Sequence, residues 1–255
     1  MTVLRATAYN FGFWALTLVL GLAGLPAIFI GRRAVVRVSE IWTRSAFAWL
    51  RITVGLTHEV RGQENLPAGP AIVAFKHQSA WDTLLLNQLL RDPAIVLKQE
   101  LLRLPLVGLY IGRAGMIPID RKGGATALRG MLSAATTALA QRRPIAIFPE
   151  GTRGRVGVAL PYQPGVGALY AKLGVPIVPV ALNSGLYWSR NAFMKRPGRI
   201  HVEILPPIPP GLDRREAVVL LQERTEEATR RLVAEAGGDG EAETVAGPAA
   251  RGGPV

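Results

Sequence analysis

A chain of 255 residues can bury a substantial core and reads as one domain with appendages. Hydrophobic residues make up 49% and charged residues 19%, below the usual quarter for a soluble domain, so part of the apolar surface is expected to meet lipid. No cysteine is present, which excludes disulfides, thiolate metal sites and cysteine nucleophiles, and the net charge of +12 calls for an anionic partner: nucleic acid, an anionic bilayer surface or a phosphorylated substrate. The charge is uneven. Residues 1–212 carry 24 basic and 9 acidic side chains, whereas residues 213–255 carry 6 and 9.

Residues 6–31 form a run of 26 without a charge, long enough to span a bilayer. Pro26 and the glycines in the run make a tilted or hairpin insertion the alternative; a secretory signal would have a shorter apolar core, and no convincing small-x-small cleavage site follows the run. Arg32, Arg33 and Arg37 follow the run against Arg5 alone before it, which places the chain from residue 32 onward on the cytoplasmic side of the plasma (inner) membrane. In residues 35–54, Val38, Ile41, Trp42, Ser45, Trp49 and Ile52 recur at three and four spacing with Arg37, Arg44 and Arg51 between them. That is an amphipathic helix suited either to a membrane interface or to packing on the domain.

From Leu56 the elements alternate. Strands are expected at residues 58–61, 71–75, 94–98, 116–119, 145–148, 176–182 and 200–205. Helices are expected at 80–91, with Ser79 as N-cap, and at 101–111, 125–141, 166–173 and 216–234. Pro176 and Pro179 demote the 176–182 strand from a central position and leave it as core. The pattern predicts an α/β fold, a mixed sheet flanked by helices, preceded by the N-terminal hydrophobic segment and the amphipathic helix. The expected organisation is membrane-associated helices at 1–55, an α/β domain at 56–236 and a disordered tail at 237–255.

Chemistry gathers at strand ends. The apolar run 71–75 delivers His77 and Asp82 to a strand-to-helix junction. Five apart on one helix the two would diverge, so His77 belongs to the turn, where its ring can fold back to Asp82 and leave one nitrogen as a base. Asp120 and Arg121 close the short strand at 116–119. Glu150, Gly151, Thr152 and Arg153 close the strand at 145–148, with Gly151 permitting a tight turn.

Four stretches, in order, carry a likeness: His77-Gln-Ser-Ala-Trp-Asp82, Gly115-Met-Ile-Pro-Ile-Asp-Arg121, Phe148-Pro-Glu-Gly-Thr-Arg153 and Val175-Pro-Ile-Val-Pro179. They resemble the four sequence blocks of the glycerolipid acyltransferases, with the bacterial 1-acyl-sn-glycerol-3-phosphate acyltransferases as the nearest branch. Lys98-Gln-Glu-Leu101, followed by Pro105 and Gly108, is similar to the segment between that family's first two blocks. The resemblance covers residues 70–205. It implies that His77 is the general base with Asp82 as its partner, and that Arg121, Glu150, Gly151, Thr152, Arg153 and Lys98 bind substrate. It also implies acyl transfer from a thioester, acyl-CoA or acyl-acyl carrier protein, to the sn-2 hydroxyl of a lysophosphatidic acid, with no cofactor. A lyso-ornithine lipid or glycerol 3-phosphate acceptor, or a non-catalytic lipid-binding protein of the same fold, is the alternative.

The residues fit that chemistry. A thioester is already activated, so the reaction needs a base for the acceptor hydroxyl rather than a covalent nucleophile, and histidine is largely free base near neutrality. Arginine at two strand ends suits a phosphate, and backbone amides near the His77 turn are candidates for stabilising the oxyanion. No Gly-x-Ser-x-Gly elbow supports a serine hydrolase, and His58, His77 and His201 lack metal-ligand spacing. Nucleic acid is not expected as a partner: the apolar N-terminus and the lack of aromatic residues interleaved with basic ones oppose it. The expected partners are the bilayer, the lysophospholipid and the acyl thioester.

Overall fold

A computed structural model describes residues 2–237; all but Gly237 of the tail expected at 237–255 lies outside the described residues. The chain runs α1 (Thr2–Ala23), α2 (Leu25–Ile30), α3 (Arg32–Val54), β1 (Leu56–Arg61), β2 (Ile72–Phe75), α4 (Trp81–Leu89), β3 (Ala94–Lys98), α5 (Val107–Arg113), β4 (Ile117–Ile119), α6 (Gly124–Ala140), β5 (Ile145–Ile147), α7 (Pro164–Leu173), β6 (Ile177–Leu182), β7 (Gly198–Ile204) and α8 (Arg214–Glu235). The strands form one mixed sheet in the order β1-β7-β6-β2-β5-β3-β4, parallel throughout except between β6 and β7.

Alternation along β2 divides the core. Val73 and Phe75 point to a cluster with Leu50 and Val54 of α3 and Trp81, Leu85 and Leu86 of α4. Ile72 and Ala74 point to the other face, against Met131 and Ala135 of α6, Leu169 of α7 and Leu221 of α8. Both faces are covered, which is why β2, β5 and β6 are buried at every position.

β6 lies between β7 and β2 and is central despite Pro179 within it and Pro176 just before it. Pro179 gives its carbonyl to Leu205 N at 2.9 Å. Its missing N–H falls where β7 has ended and the register slips by one residue, from Val180 opposite Ile204 to Ile177 opposite Ile208. A bulge in the partner makes that proline tolerable.

The apolar run expected as one helix at 101–111 is also broken. A 3-10 turn covers Gln99–Arg103, and α5 begins only at Val107. Pro105 holds Leu104 extended, and Leu106 takes a positive φ of 62° inside a γ-turn closed by Val107 N to Pro105 O at 2.6 Å.

At the N-terminus the uncharged run is two helices, divided at Gly24 with Pro26 in the first turn of α2. α1 packs antiparallel along α3: Trp42 Nε1 donates to Thr17 Oγ1 at 3.0 Å and Trp49 Nε1 to the Ala8 carbonyl at 3.3 Å. Ala6 and Tyr9 are buried, and Tyr9 joins the α3/α4 core cluster. Phe11, Trp14, Leu18 and Leu22 form the exposed opposite face. α3 packs on the domain through Val35, Thr43, Ala46, Leu50 and Val54.

Candidate active site

β2 ends at Phe75 and α4 starts at Trp81, so residues 76–80 form the expected turn. His77 Nδ1 lies 3.0 Å from Asp82 Oδ2, which fixes Nδ1 as the protonated nitrogen and leaves Nε2 free. The His77 ring stacks on Phe148 with centroids 3.9 Å apart. Asp82 is fully buried, yet its charge is well served: Oδ2 also accepts from Gln78 N at 2.7 Å and Ser79 N at 2.8 Å, and Oδ1 accepts from Ser184 Oγ at 2.6 Å. Ser79 is not the N-cap. Ala80 occupies that position without a side-chain cap, and Ser79 Oγ instead accepts from Trp81 N. The Gln78 and Ser79 amides are spent on Asp82, so neither serves as an oxyanion donor.

Behind this turn lies a buried ionic group. Lys76 Nζ sits 3.0 Å from Glu150 Oε1 and 2.7 Å from Glu226 Oε1 on α8. Glu150 Oε1 is also 3.4 Å from the His77 amide, while Oε2 has no hydrogen-bond partner among the described residues. Burial pushes the Glu150 carboxyl up to about 7, against the opposing pull of the Lys76 ammonium; the Glu226 charge adds to the rise. Glu150 thus joins the two loops rather than presenting a free charge. The His77 carbonyl accepts from Gly154 N at 2.8 Å, a second tie between the same loops. Gly151 sits at φ 68° in that turn, as its strand-end position requires.

The two loops face a cavity of about 1150 Å³. His77, Arg121, Glu150, Gly151, Thr152, Arg153 and Lys98 all line it, so these seven expected site residues border one space, with Asp82 behind His77. Among the described residues Arg121 and Arg153 have no ion-pair partner, whereas Lys98 pairs with Glu100 at 3.3 Å. Away from the charges the wall turns apolar, with Leu20 of α1, Trp42 of α3 and Leu101, Leu106 and Val107 around α5. Arg143 secures the approach to β4 from beneath: its buried guanidinium donates to the carbonyls of Asp92, Pro93, Ala114 and Gly115. His58 is remote, packed against Phe47 and Trp81, and burial lowers its pKa; His201 lies on β7.

Sequence reasoning missed Ser184, Lys76 and Glu226. Ser184 lies 102 positions from Asp82 and Glu226 150 from Lys76, so no local spacing links them; a lysine preceding His77 at the end of a buried strand was the one available signal.

A histidine at a strand end, a carboxylate in the first turn of the next helix, two guanidiniums without an ion-pair partner among the described residues and an apolar wall form an arrangement that could serve acyl transfer to a phosphorylated acceptor. A family model described as acyltransferase matches residues 57–183. The 1-acyl-sn-glycerol-3-phosphate acyltransferase of Pseudomonas aeruginosa is 35% identical over 198 residues, covering 78% of this chain and 77% of that one. The alpha form from Mus musculus is 37% identical over 158 residues, 60% of this chain and 55% of its own length. The structure of the 1-acyl-sn-glycerophosphate (LPA) acyltransferase from Thermotoga maritima superposes with a TM-score of 0.75 at 24% identity, over 91% of this chain and 96% of that one, and shares the fold. The chain belongs to the 1-acyl-sn-glycerol-3-phosphate acyltransferase family.

Proposed function

We propose that the protein moves an acyl chain from a thioester donor to the sn-2 hydroxyl of 1-acyl-sn-glycerol 3-phosphate, giving phosphatidic acid. The observation that carries this reading is the shared cavity: the free Nε2 edge of His77 and the unpaired Arg121 and Arg153 border the same space. In the reaction His77 Nε2 takes the proton of the acceptor hydroxyl as its oxygen attacks the thioester carbonyl. The tetrahedral intermediate collapses, the C–S bond breaks, and the imidazolium returns the proton to the leaving thiolate. Asp82 holds Nδ1–H and stabilises the imidazolium, while Arg121 and Arg153 grip the acceptor phosphate so that the hydroxyl meets Nε2. Glu150, Gly151 and Thr152 shape the loop that carries Arg153, Lys98 lies at the cavity's border, and the apolar wall holds acyl chain. The donor is acyl-CoA or acyl-acyl carrier protein, and no cofactor is required.

α1 supplies the membrane association. Its 21-residue apolar stretch is long enough to cross a bilayer, but it lies along α3, whose Arg32, Arg33, Arg37, Glu40, Arg44 and Arg51 cannot follow it through hydrocarbon. α1 therefore beds its exposed face in one leaflet, the cytoplasmic leaflet of the inner membrane. Purified protein offered lysophosphatidic acid, lyso-ornithine lipid and glycerol 3-phosphate with each donor tests the assignment. His77→Ala is expected to lower turnover by about 100 to 10,000-fold while acceptor binding persists. Undiminished turnover in that variant would refute the mechanism.

A further inference from the structure

Beyond Ser184 and Gly185, which brace the His77 turn, the connection between β6 and β7 takes no part in the chemistry above. It leaves the sheet through a 3-10 turn at Ser184–Leu186 and closes on itself where Arg196 N donates to the Tyr187 carbonyl at 2.8 Å. A segment with bridged ends has the form of an Ω-loop. Its base is anchored to α1. Lys195 is buried, donates to Asn10 Oδ1 at 2.6 Å and to the Phe193 carbonyl at 2.9 Å, and lies over the rings of Tyr9 and Trp188. Asn10 Nδ2 in turn donates to the Phe193 carbonyl at 3.3 Å.

The side chains beside that anchor are turned the opposite way. Phe193 is 53% exposed and Met194 36%, whereas Trp188 in the same loop is buried. Arg190 and Arg196 are exposed and, among the described residues, form no ion pair. Residues 184–199 contain four basic side chains and no acidic one, and α1 contains no acidic residue either. Asn10, the point of attachment, flanks the exposed face of α1 that carries Phe11, Trp14 and Leu18. Exposed aromatic and thioether side chains, flanked by two guanidiniums without an ion-pair partner among the described residues and tied to a helix with an exposed apolar face, match the layered chemistry of a bilayer surface. The apolar pair suits acyl chains and the arginines suit the phosphates just above them.

We propose that the 187–196 loop is a second membrane-contact element, seating Phe193 and Met194 below the headgroups and Arg190 and Arg196 on the phosphates of an anionic bilayer. Two contacts, α1 and this loop, define a plane where one helix alone leaves rotation about its axis free. The loop thereby orients the cavity toward the surface that holds a lipid acceptor. The inference rests on the membrane association of α1 proposed above.

The test is a flotation titration of the full chain with vesicles of phosphatidylcholine alone and of phosphatidylcholine mixed with phosphatidylglycerol. Arg190→Gln/Arg196→Gln is expected to weaken partition onto the anionic vesicles about 30-fold and leave the neutral ones nearly unchanged. Phe193→Ser/Met194→Ser is expected to weaken both by about tenfold. Thermal unfolding in detergent, and turnover of a short-chain acceptor dispersed there, should match the parent protein in both variants. Parent-like flotation of both variants overturns the proposal, as does a Phe193/Met194 variant that changes only the oligomeric state in detergent, which would make that pair a contact between copies of the chain. Parent protein that fails to float at all overturns the membrane association of α1 and this proposal with it.

Discussion

Replacing Glu150 by glutamine isolates the electrostatics of the buried group beneath the His77 turn. The carboxyl is fully buried, and burial lifts its pKa from 4.5 to about 7. Below pH 4.5 both the folded and the unfolded chain hold this proton. Between 4.5 and about 7 the unfolded chain releases it while the folded chain keeps it, so stability declines with rising pH across that window. The full decline is about 3 kcal/mol. A glutamine side chain would keep an oxygen for Lys76 and for the His77 amide but cannot ionise. The Glu150→Gln protein should therefore gain about 3 kcal/mol relative to the parent between pH 4.5 and 8, whatever the constant offset between them. Urea unfolding in detergent micelles, followed by tryptophan fluorescence at a series of pH values, measures the difference directly. Glu226→Gln provides the sign control: it removes a negative neighbour that raises Glu150, so the upper edge of the window should move to lower pH. A pH-independent difference between the Glu150→Gln and parent proteins would refute the reasoning, because the carboxyl would then titrate alike in both states.

Three other outcomes are expected. Ser184→Ala removes the 2.6 Å hydrogen bond to a fully buried carboxylate oxygen and should cost about 1–3 kcal/mol in denaturant unfolding, with a lower kcat as the support of His77 loosens; a parent-like kcat would separate Ser184 from catalysis. Arg153→Ala should raise KM for the lysolipid roughly ten to a hundredfold and spare that for the donor, and Arg153→Lys should recover only part of the loss; steady-state kinetics varying each substrate would expose a donor role if the effects are reversed. Deleting α1 strips Tyr9 from the core cluster it shares with Leu50 and Val180, a loss on the scale of about 3–5 kcal/mol for a large buried aromatic, so aggregated protein is expected rather than a released, folded domain; cooperative thermal unfolding of a soluble truncation would contradict this.

The sequence was most legible where one local period governed one element. β3 has the bounds its apolar run predicts, and α6 and α8 follow their three and four spacing to within two residues at each end. The His77 turn was legible for a related reason: the five-residue separation from Asp82 is impossible on a helix and natural across a junction. Proline misled in both directions. Pro105 broke a run whose apolarity read as one helix, while Pro179 was tolerated in a central strand because the partner strand bulges beside it. Neither outcome is encoded within a window of ten residues. The supports of Asp82 and Lys76 come from Ser184 and Glu226, which only the closed sheet and α8 bring near. The docking of α1 was hidden likewise, since composition reports that a helix is apolar and not which side of it is occupied.

The contact between α1 and the β6–β7 connection also orders events in time. Asn10 and Lys195 are 185 positions apart, and at about 5–20 residues per second a ribosome needs about 10 to 40 seconds to make the interval. Throughout that wait Tyr9 has no Trp188 or Lys195 to pack against, and its apolar surface is available to any lipid or chaperone nearby. A bilayer within reach of the nascent chain would capture α1 before the sheet exists. The domain would then assemble on a helix already lying in the membrane, acquiring its orientation during synthesis rather than by a later encounter.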